Sequence, residues 1–205
     1  MTIIRSSLIL LLVLASATAT AQAPAAALAT PEGSGLPAKV TDVEGVEVRL
    51  FLDGRVYVAG QPSEAALAKL KERGVTAVVN LRTPTEMADP KQVPFDEAAV
   101  VAAAGLEYVH IPLGGRDFPY TTEAVERFAA VLDRHRGPVL LHCTAGVRAS
   151  YVWAAYLIRH RGFTLTDALA RGEAIGIAAN PLEGLTGRPI TLAWEDPPSA
   201  APGKE

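Results

Sequence analysis

The sequence predicts an α/β domain with a mostly parallel central sheet flanked by helices. Three observations carry that expectation. Short apolar runs such as "VTAVVNL" and "PVLLHC" alternate with segments whose apolar residues recur at helical spacing. About 150 residues lie between two Ala/Pro/Gly-rich ends, enough for one domain with a proper core. No internal repeat divides that stretch.

The elements follow in order. "VEVRLFLDGRVYVAGQP" reads as two strands joined by Asp53-Gly54, a strong hairpin signal. "SEAALAKLKERG" opens on Ser63 as N-cap, closes at Gly74, and carries Ala66, Leu67 and Leu70 on its apolar face. "VTAVVNL", 75–81, suits a buried parallel strand. The stretch "RTPTEMADPKQVP" reads as a loop, followed by a helix from Phe95 to Ala104 that Gly105 stops. "LEYVHIP" supplies another strand and "LGGRDFPYT" another loop. "TEAVERFAAVLDRHRG" is amphipathic, with Val125, Phe128, Ala129 and Leu132 on one face. "PVLLHC" is a short buried strand, "ASYVWAAYLIRHRG" the helix after it, starting near Ala149, and "TDALARGEAIG" one more helix.

The ends carry a different message. "MTIIRSSLILLLVLASATATA" has one basic residue, an apolar run from Leu8 to Leu14, and small residues ending Ala19-Thr20-Ala21. That pattern is a signal peptide over 1–21, with the mature chain starting at Gln22. The run is shorter than the roughly 20 residues a membrane span needs, so no span is expected after cleavage. A periplasmic or secreted protein is the expectation, with no cysteine directly following the signal region to take a lipid anchor. Residues 22–42 read as a flexible linker, 43–195 as the domain, and 196–205 as a disordered tail. A net charge of -3 gives no basic footprint, so nucleic acid is not an expected partner. The four histidines, at 110, 135, 142 and 160, show no ligand spacing; neither metal nor cofactor is implied, and His135 and His160 are placed at helix ends.

Cys143 is the single cysteine. It cannot form an internal disulfide, and an exposed thiol in an oxidising compartment is a liability. Its position between a buried strand and a helix is where ligands bind in such sheets. The amides of Thr144, Ala145, Gly146 and Val147 can curl around an anion, with the positive end of the next helix behind them. Gly146 supplies a positive φ or a close approach, and Arg148 can fork onto two oxygens of an oxyanion. The same field favours a thiolate over the ordinary thiol of pKa about 8.5. Asp117 is the candidate general acid for a leaving oxygen, with a solvated or helix-capping aspartate as the plainer reading. Ser150 is either a hydroxyl assisting thiolate departure or an ordinary first-turn residue. His142 is read either as orienting the loop through backbone hydrogen bonds or as a satisfied histidine at a strand end, and Arg116 as a surface residue or a second anion contact.

These residues resemble the cysteine-dependent, dual-specificity-like protein tyrosine phosphatases. More narrowly, "VAGQPS", "VVNLRTPTE", "HIPLGG" and "GPVLLHCTAGVRAS" are similar to the bacterial beta-lactamase-hydrolase-like phosphatase domains, over about residues 45 to 178. The resemblance implies a cysteine-phosphatase-like single domain with Cys143 as nucleophile, Arg148 as phosphate clamp, Thr144 to Val147 as the cradle and Asp117 as the acid. It implies loop-supporting roles for Arg82 and Glu86, with a buried ion pair or a surface helix contact as the preferred plainer reading. One departure stands out. The usual signature, H-C-x-x-G-x-x-R-[ST], places arginine where this chain has Ala149, and the four residues between Cys143 and Arg148 match rhodanese-like sulfurtransferases instead. Three functions are therefore expected to compete: hydrolysis of phosphate monoesters, protein phosphotyrosine among them, through a phosphocysteine; sulfur transfer through a Cys143 persulfide; and non-catalytic anion binding. The expected partner is a phosphorylated small molecule or protein, and the absence of lysines from the loop favours phosphoaryl or small substrates over highly charged phosphoinositides.

Overall fold

A computed structural model describes residues 35–176 and 185–187. The expected signal peptide, most of the expected linker, residues 177–184 and the segment 188–205, which holds the expected tail, lie outside the described residues. The expected linker overlaps β1 (Ala38–Lys39), which pairs antiparallel with β2 (Leu50–Asp53). Two exposed residues carry no apolar alternation, so nothing in their composition announces a strand.

The hairpin forms as its sequence dictates. β2 and β3 (Val56–Ala59) pair with Asp53 opposite Val56, and Gly54 turns at φ +59, a conformation glycine adopts without a Cβ penalty. The remaining strands are β4 (Ala77–Asn80), β5 (Glu107–His110) and β6 (Val139–His142). The sheet order is β1-β2-β3-β6-β4-β5, with β3, β6, β4 and β5 parallel and the hairpin antiparallel. β6 is thus central, and every residue of it is buried.

The helices are α1 (Glu64–Glu72), α2 (Pro84–Met87), α3 (Glu97–Ala103), α4 (Thr122–Arg134), α5 (Val147–His160) and α6 (Leu165–Ile175). Ser63 caps α1 by accepting from the Ala66 amide, as expected. α2 falls inside the expected loop: Thr83 and Glu86 form a reciprocal capping box with Pro84 in the first turn. α5 begins at Val147 rather than near Ala149, because Gly146 takes the left-handed N-cap position at φ +83 and the chain turns helical at once. Among the described residues no helix is long and apolar enough to cross a membrane.

Period-two alternation sorts the strands between two cores. Val139 and Leu141 of β6 join Phe128 of α4 and Trp153 and Leu157 of α5 on one face. Leu140 joins Leu67 and Leu70 of α1 and Val101 of α3 on the other. By the same alternation His142 and Asn80 fall on the α1/α3 side and Cys143 on the α5 side. The polar end of β6 is therefore split between a buried network and a candidate site.

Candidate active site

Cys143 leaves the carboxyl end of β6 and is 1% exposed. Its amide donates to the Ala59 carbonyl at 3.3 Å, and the Gln61 amide donates to the Thr144 carbonyl at 2.9 Å. The segment after β3 thus pins the loop from below. Gly60 is required there: a Cβ would lie 1.9 Å from the Glu47 carbonyl oxygen. At Gly146 a Cβ would meet the Arg49 stem at 2.7 Å, on top of the left-handed φ. The first helical bond of α5 runs from the Ser150 amide to the Gly146 carbonyl at 3.0 Å. The amides of Val147, Arg148 and Ala149 therefore lack intrahelical acceptors, and glycine offers no side-chain cap to take their place. The helix end that faces Cys143 presents bare donors to an anion, with Arg148 and Ala149 extending the expected set.

Arg148 is not free to fork outward with both terminal nitrogens. Its NH1 donates to Glu86 Oε2 at 2.8 Å and to the Leu113 carbonyl at 2.7 Å, while NH2 donates to Glu86 Oε1 at 2.6 Å and Thr144 Oγ1 at 2.7 Å. Thr144 in turn donates to Glu86 Oε1 at 2.7 Å. Burial works against the Arg148 charge, but Glu86 and Cys143 more than offset it and raise its pKa. Burial likewise opposes the Glu86 charge, and hydrogen bonds from Arg148, the Thr83 amide and Thr144 hold the carboxyl well below its ordinary range. Glu86 makes an ion pair, its plainer expected role, with Arg148, the candidate anion clamp, as its direct partner. The capping-box spacing Thr83 to Glu86 was the signal that could have placed it. Arg82 is almost fully buried, with NH1 on Gln61 Oε1 at 2.9 Å and NH2 on Gln92 Oε1.

Cys143, Arg148 and Asp117 line one cavity of about 650 Å³, together with Thr83, Phe118 and Tyr120. Asp117 and Arg116 are both exposed, in a turn closed by the Gly114 amide donating to the Phe118 carbonyl at 2.6 Å. Tyr120 packs edge-on against Tyr151, with ring centroids 6.2 Å apart, and burial raises its pKa against the pull of Arg148. The aromatic walls went unremarked in the sequence, although "DFPY" contains both.

Of the two readings of His142, the structure favours a histidine bonded at a strand end over one that orients the loop. Its Nε2 lies 3.0 Å from Glu97 Oε1, both residues are buried, and Glu97 also accepts from Gln61 Nε2 at 2.5 Å and Asn80 Nδ2 at 2.9 Å. The side-chain bond arises because alternation turns His142 toward α3. Burial alone would push the Glu97 carboxyl up; His142, Gln61 and Asn80 more than offset it and lower its pKa. Ser150 is buried and donates to the Val147 carbonyl at 2.8 Å, a first-turn helix bond. His135 is the C-cap of α4 and His160 the last residue of α5. Among the described residues no group of three His, Cys, Asp or Glu side chains is placed to hold a metal.

Comparison with known proteins agrees with this geometry. The family model described as "DSP-PTPase phosphatase fused to NAD+ Kinase" matches residues 39–182. A beta-lactamase hydrolase-like protein from Xylella fastidiosa is 32% identical over 127 residues, covering 61% of this chain. The chain spans only 28% of that relative's length. The crystal structure of a DUF442 candidate phosphatase from Shewanella putrefaciens is similar with a TM-score of 0.53 and 28% identity, over 71% of this chain and 92% of that one. Tk-PTP in its active form gives a TM-score of 0.54 and 26% identity, over 71% and 98%. The chain belongs to the DSP-PTPase family whose model covers its sheet, its loop at Cys143 and the helices around them.

Proposed function

We propose that the protein is an exported, cysteine-dependent phosphatase that hydrolyses phosphate monoesters. The observation that carries this reading is the convergence of Cys143, Arg148 and Asp117 on one cavity at the uncapped N-terminus of α5. The Cys143 thiolate attacks phosphorus, forming the S–P bond as the ester P–O bond breaks. Asp117 delivers its proton to the leaving oxygen, then as carboxylate takes a proton from the water that cleaves the phosphocysteine. Inorganic phosphate leaves and the thiolate returns. The α5 amides and Arg148 stabilise charge on the non-bridging oxygens in both steps. Phe118 and Tyr120 give the mouth two aromatic surfaces, which suits a phosphoaryl group, including phosphotyrosine.

The test is turnover of an aryl phosphate by the mature chain beside Cys143→Ser and Asp117→Asn. Cys143→Ser is expected to abolish turnover, and activity persisting in it removes the phosphocysteine step. Asp117→Asn is expected to cost about 10²–10⁴-fold with a poor leaving group and less with a good one; equal loss with both shows that Asp117 is not the acid. Thiosulfate-to-cyanide transfer, run alongside, is expected to be absent. Export rests on the signal pattern at 1–21 and is checked by N-terminal sequencing of periplasmic protein, with Gln22 as the expected first residue.

A further inference from the structure

Two guanidinium groups share one carboxylate at this site. Arg148 takes both oxygens of Glu86, at 2.6 and 2.8 Å, so that pair is close to neutral. A neutral pair does little to attract a phosphate dianion. Arg82 stands behind it, with Nε 3.9 Å from Glu86 Oε1 and its side chain 1% exposed. That Nε is buried and makes no hydrogen bond. The terminal nitrogens of Arg82 end on the amide oxygens of Gln61 and Gln92. Those acceptors fix the fork without neutralising it. The other carboxylates nearby are more remote or differently engaged: Glu97 faces His142, Asn80 and Gln61, Asp89 is half-buried, bonded to Gln92 and reaches Arg82 only through it, and Asp117 lies at the exposed rim beside Arg116.

We infer that Arg82 supplies the net positive charge of the anion cradle, acting through Glu86 and without touching the substrate. Glu86 spends its charge orienting Arg148, and the buried Arg82 restores the excess that a dianion meets. Burial matters because salt screens an interior charge far less than a surface one. Arg82 is thus a positioning and charge-setting residue of the proposed reaction. The inference rests on the phosphatase reading only in taking phosphate as the cradle's ligand.

The experiment is calorimetric titration of the full chain with inorganic phosphate, for the wild type, Arg82→Gln, Arg82→Lys and Glu86→Gln. Arg82→Gln is expected to weaken binding on the order of tenfold. Arg82→Lys keeps the charge and loses the two-pronged fork, so it is expected to stay within about threefold of wild type. A role confined to bridging Gln61 and Gln92 would fail equally in both, and that result overturns the inference. Glu86→Gln removes the shared negative charge while its amide oxygen still accepts from Arg148, and is expected to tighten phosphate; weaker binding there overturns the charge argument even where neither Arg82 variant folds. Aryl phosphate turnover separates the two ideas. If the wild type hydrolyses it and Arg82→Gln binds phosphate as the wild type does, only the role of Arg82 falls. A wild type that neither hydrolyses nor binds phosphate removes both.

Discussion

Gly146→Ala tests whether the loop is held by geometry specific to glycine. The residue sits at φ +83, where an L side chain costs roughly 1–2 kcal/mol. The new methyl would also stand 2.7 Å from Cγ and Cδ of Arg49 and 3.2 Å from the Ala59 carbonyl carbon. Arg49 can yield only by giving up its bonds to the Ile175 and Gly176 carbonyls, both 3.0 Å. Each contributes about 0.5–1.5 kcal/mol net, with the exposed one at the low end. The total is about 2–4 kcal/mol, a large part of the roughly 5–15 kcal/mol that holds a domain together. In urea denaturation the midpoint should fall by about 1–2 M at an m-value of about 2 kcal/mol/M. The decisive assay is a double-mutant cycle with Arg49→Ala. Removing the Arg49 stem should relieve the steric part and leave only the backbone part, giving a coupling of about 1–2 kcal/mol. A coupling near zero, with Gly146→Ala equally costly in both backgrounds, would refute the packing of Arg49 against the loop.

Three further outcomes follow from the same geometry. Gly60→Ala places a Cβ 1.9 Å from the Glu47 carbonyl oxygen and 3.0 Å from that of Thr144, so it should displace the loop and lower both the denaturation midpoint and phosphate affinity; an unchanged pair of values refutes the pinning role of this strand end. Asp53→Ala removes the acceptor of Trp153 Nε1 at 2.9 Å and of Arg171 at 2.5 Å, and should cost about 3–5 kcal/mol in urea denaturation with a changed tryptophan near-UV signal. The carboxyls of Glu86, Glu97, Glu107 and Glu126 are all lowered from an ordinary value of 4.5. Their folded forms bind fewer protons than the unfolded chain, so the stability they add is full above about pH 5 and is withdrawn as pH falls below 4.5. Denaturation midpoints between pH 6 and 3 should show this decline, and Glu86→Gln should flatten it.

Much of the fold was legible because local chemistry and tertiary context agree. Asp53-Gly54, Ser63 and the apolar faces around Leu67 and Phe128 act in the structure as their sequence patterns require. α2 was hidden because Pro84 and Pro90 read as loop punctuation, although proline is well placed in a first helical turn. Glu97 shows a deeper limit. An acidic residue opening a helix looks like a solvated complement to the helix dipole, and only the arrival of His142 and Asn80 on the same face makes it a buried carboxylate. Asp53 is similar, since its turn role is local and its pairing with Trp153 and Arg171 comes from distant helices.

The short step from Cys143 to Arg148 is the feature for which spacing misled most. Counting residues fixes where the arginine Cα lies, and by that measure the chain departs from the usual phosphatase signature. The guanidinium sits at the end of a long side chain, and its acceptors decide where it goes. Here they are Glu86 within α2, Leu81 beyond the end of β4, Leu113 beyond the end of β5, and Thr144 in the loop itself. Three of the four lie far away in sequence, so loop length cannot encode them. A Cβ on Gly114 would lie 3.4 Å from Arg148 NH1, which shows how closely the β5 turn seats the group. The proposed site is therefore distributed: in that reading Cys143 and the α5 amides supply nucleophile and cradle, residues 81–86 and 113 seat the arginine, and 117 brings the acid. α5 starts at Val147, directly after its Gly146 N-cap, and Arg148 in its first turn lines the same cavity as Cys143.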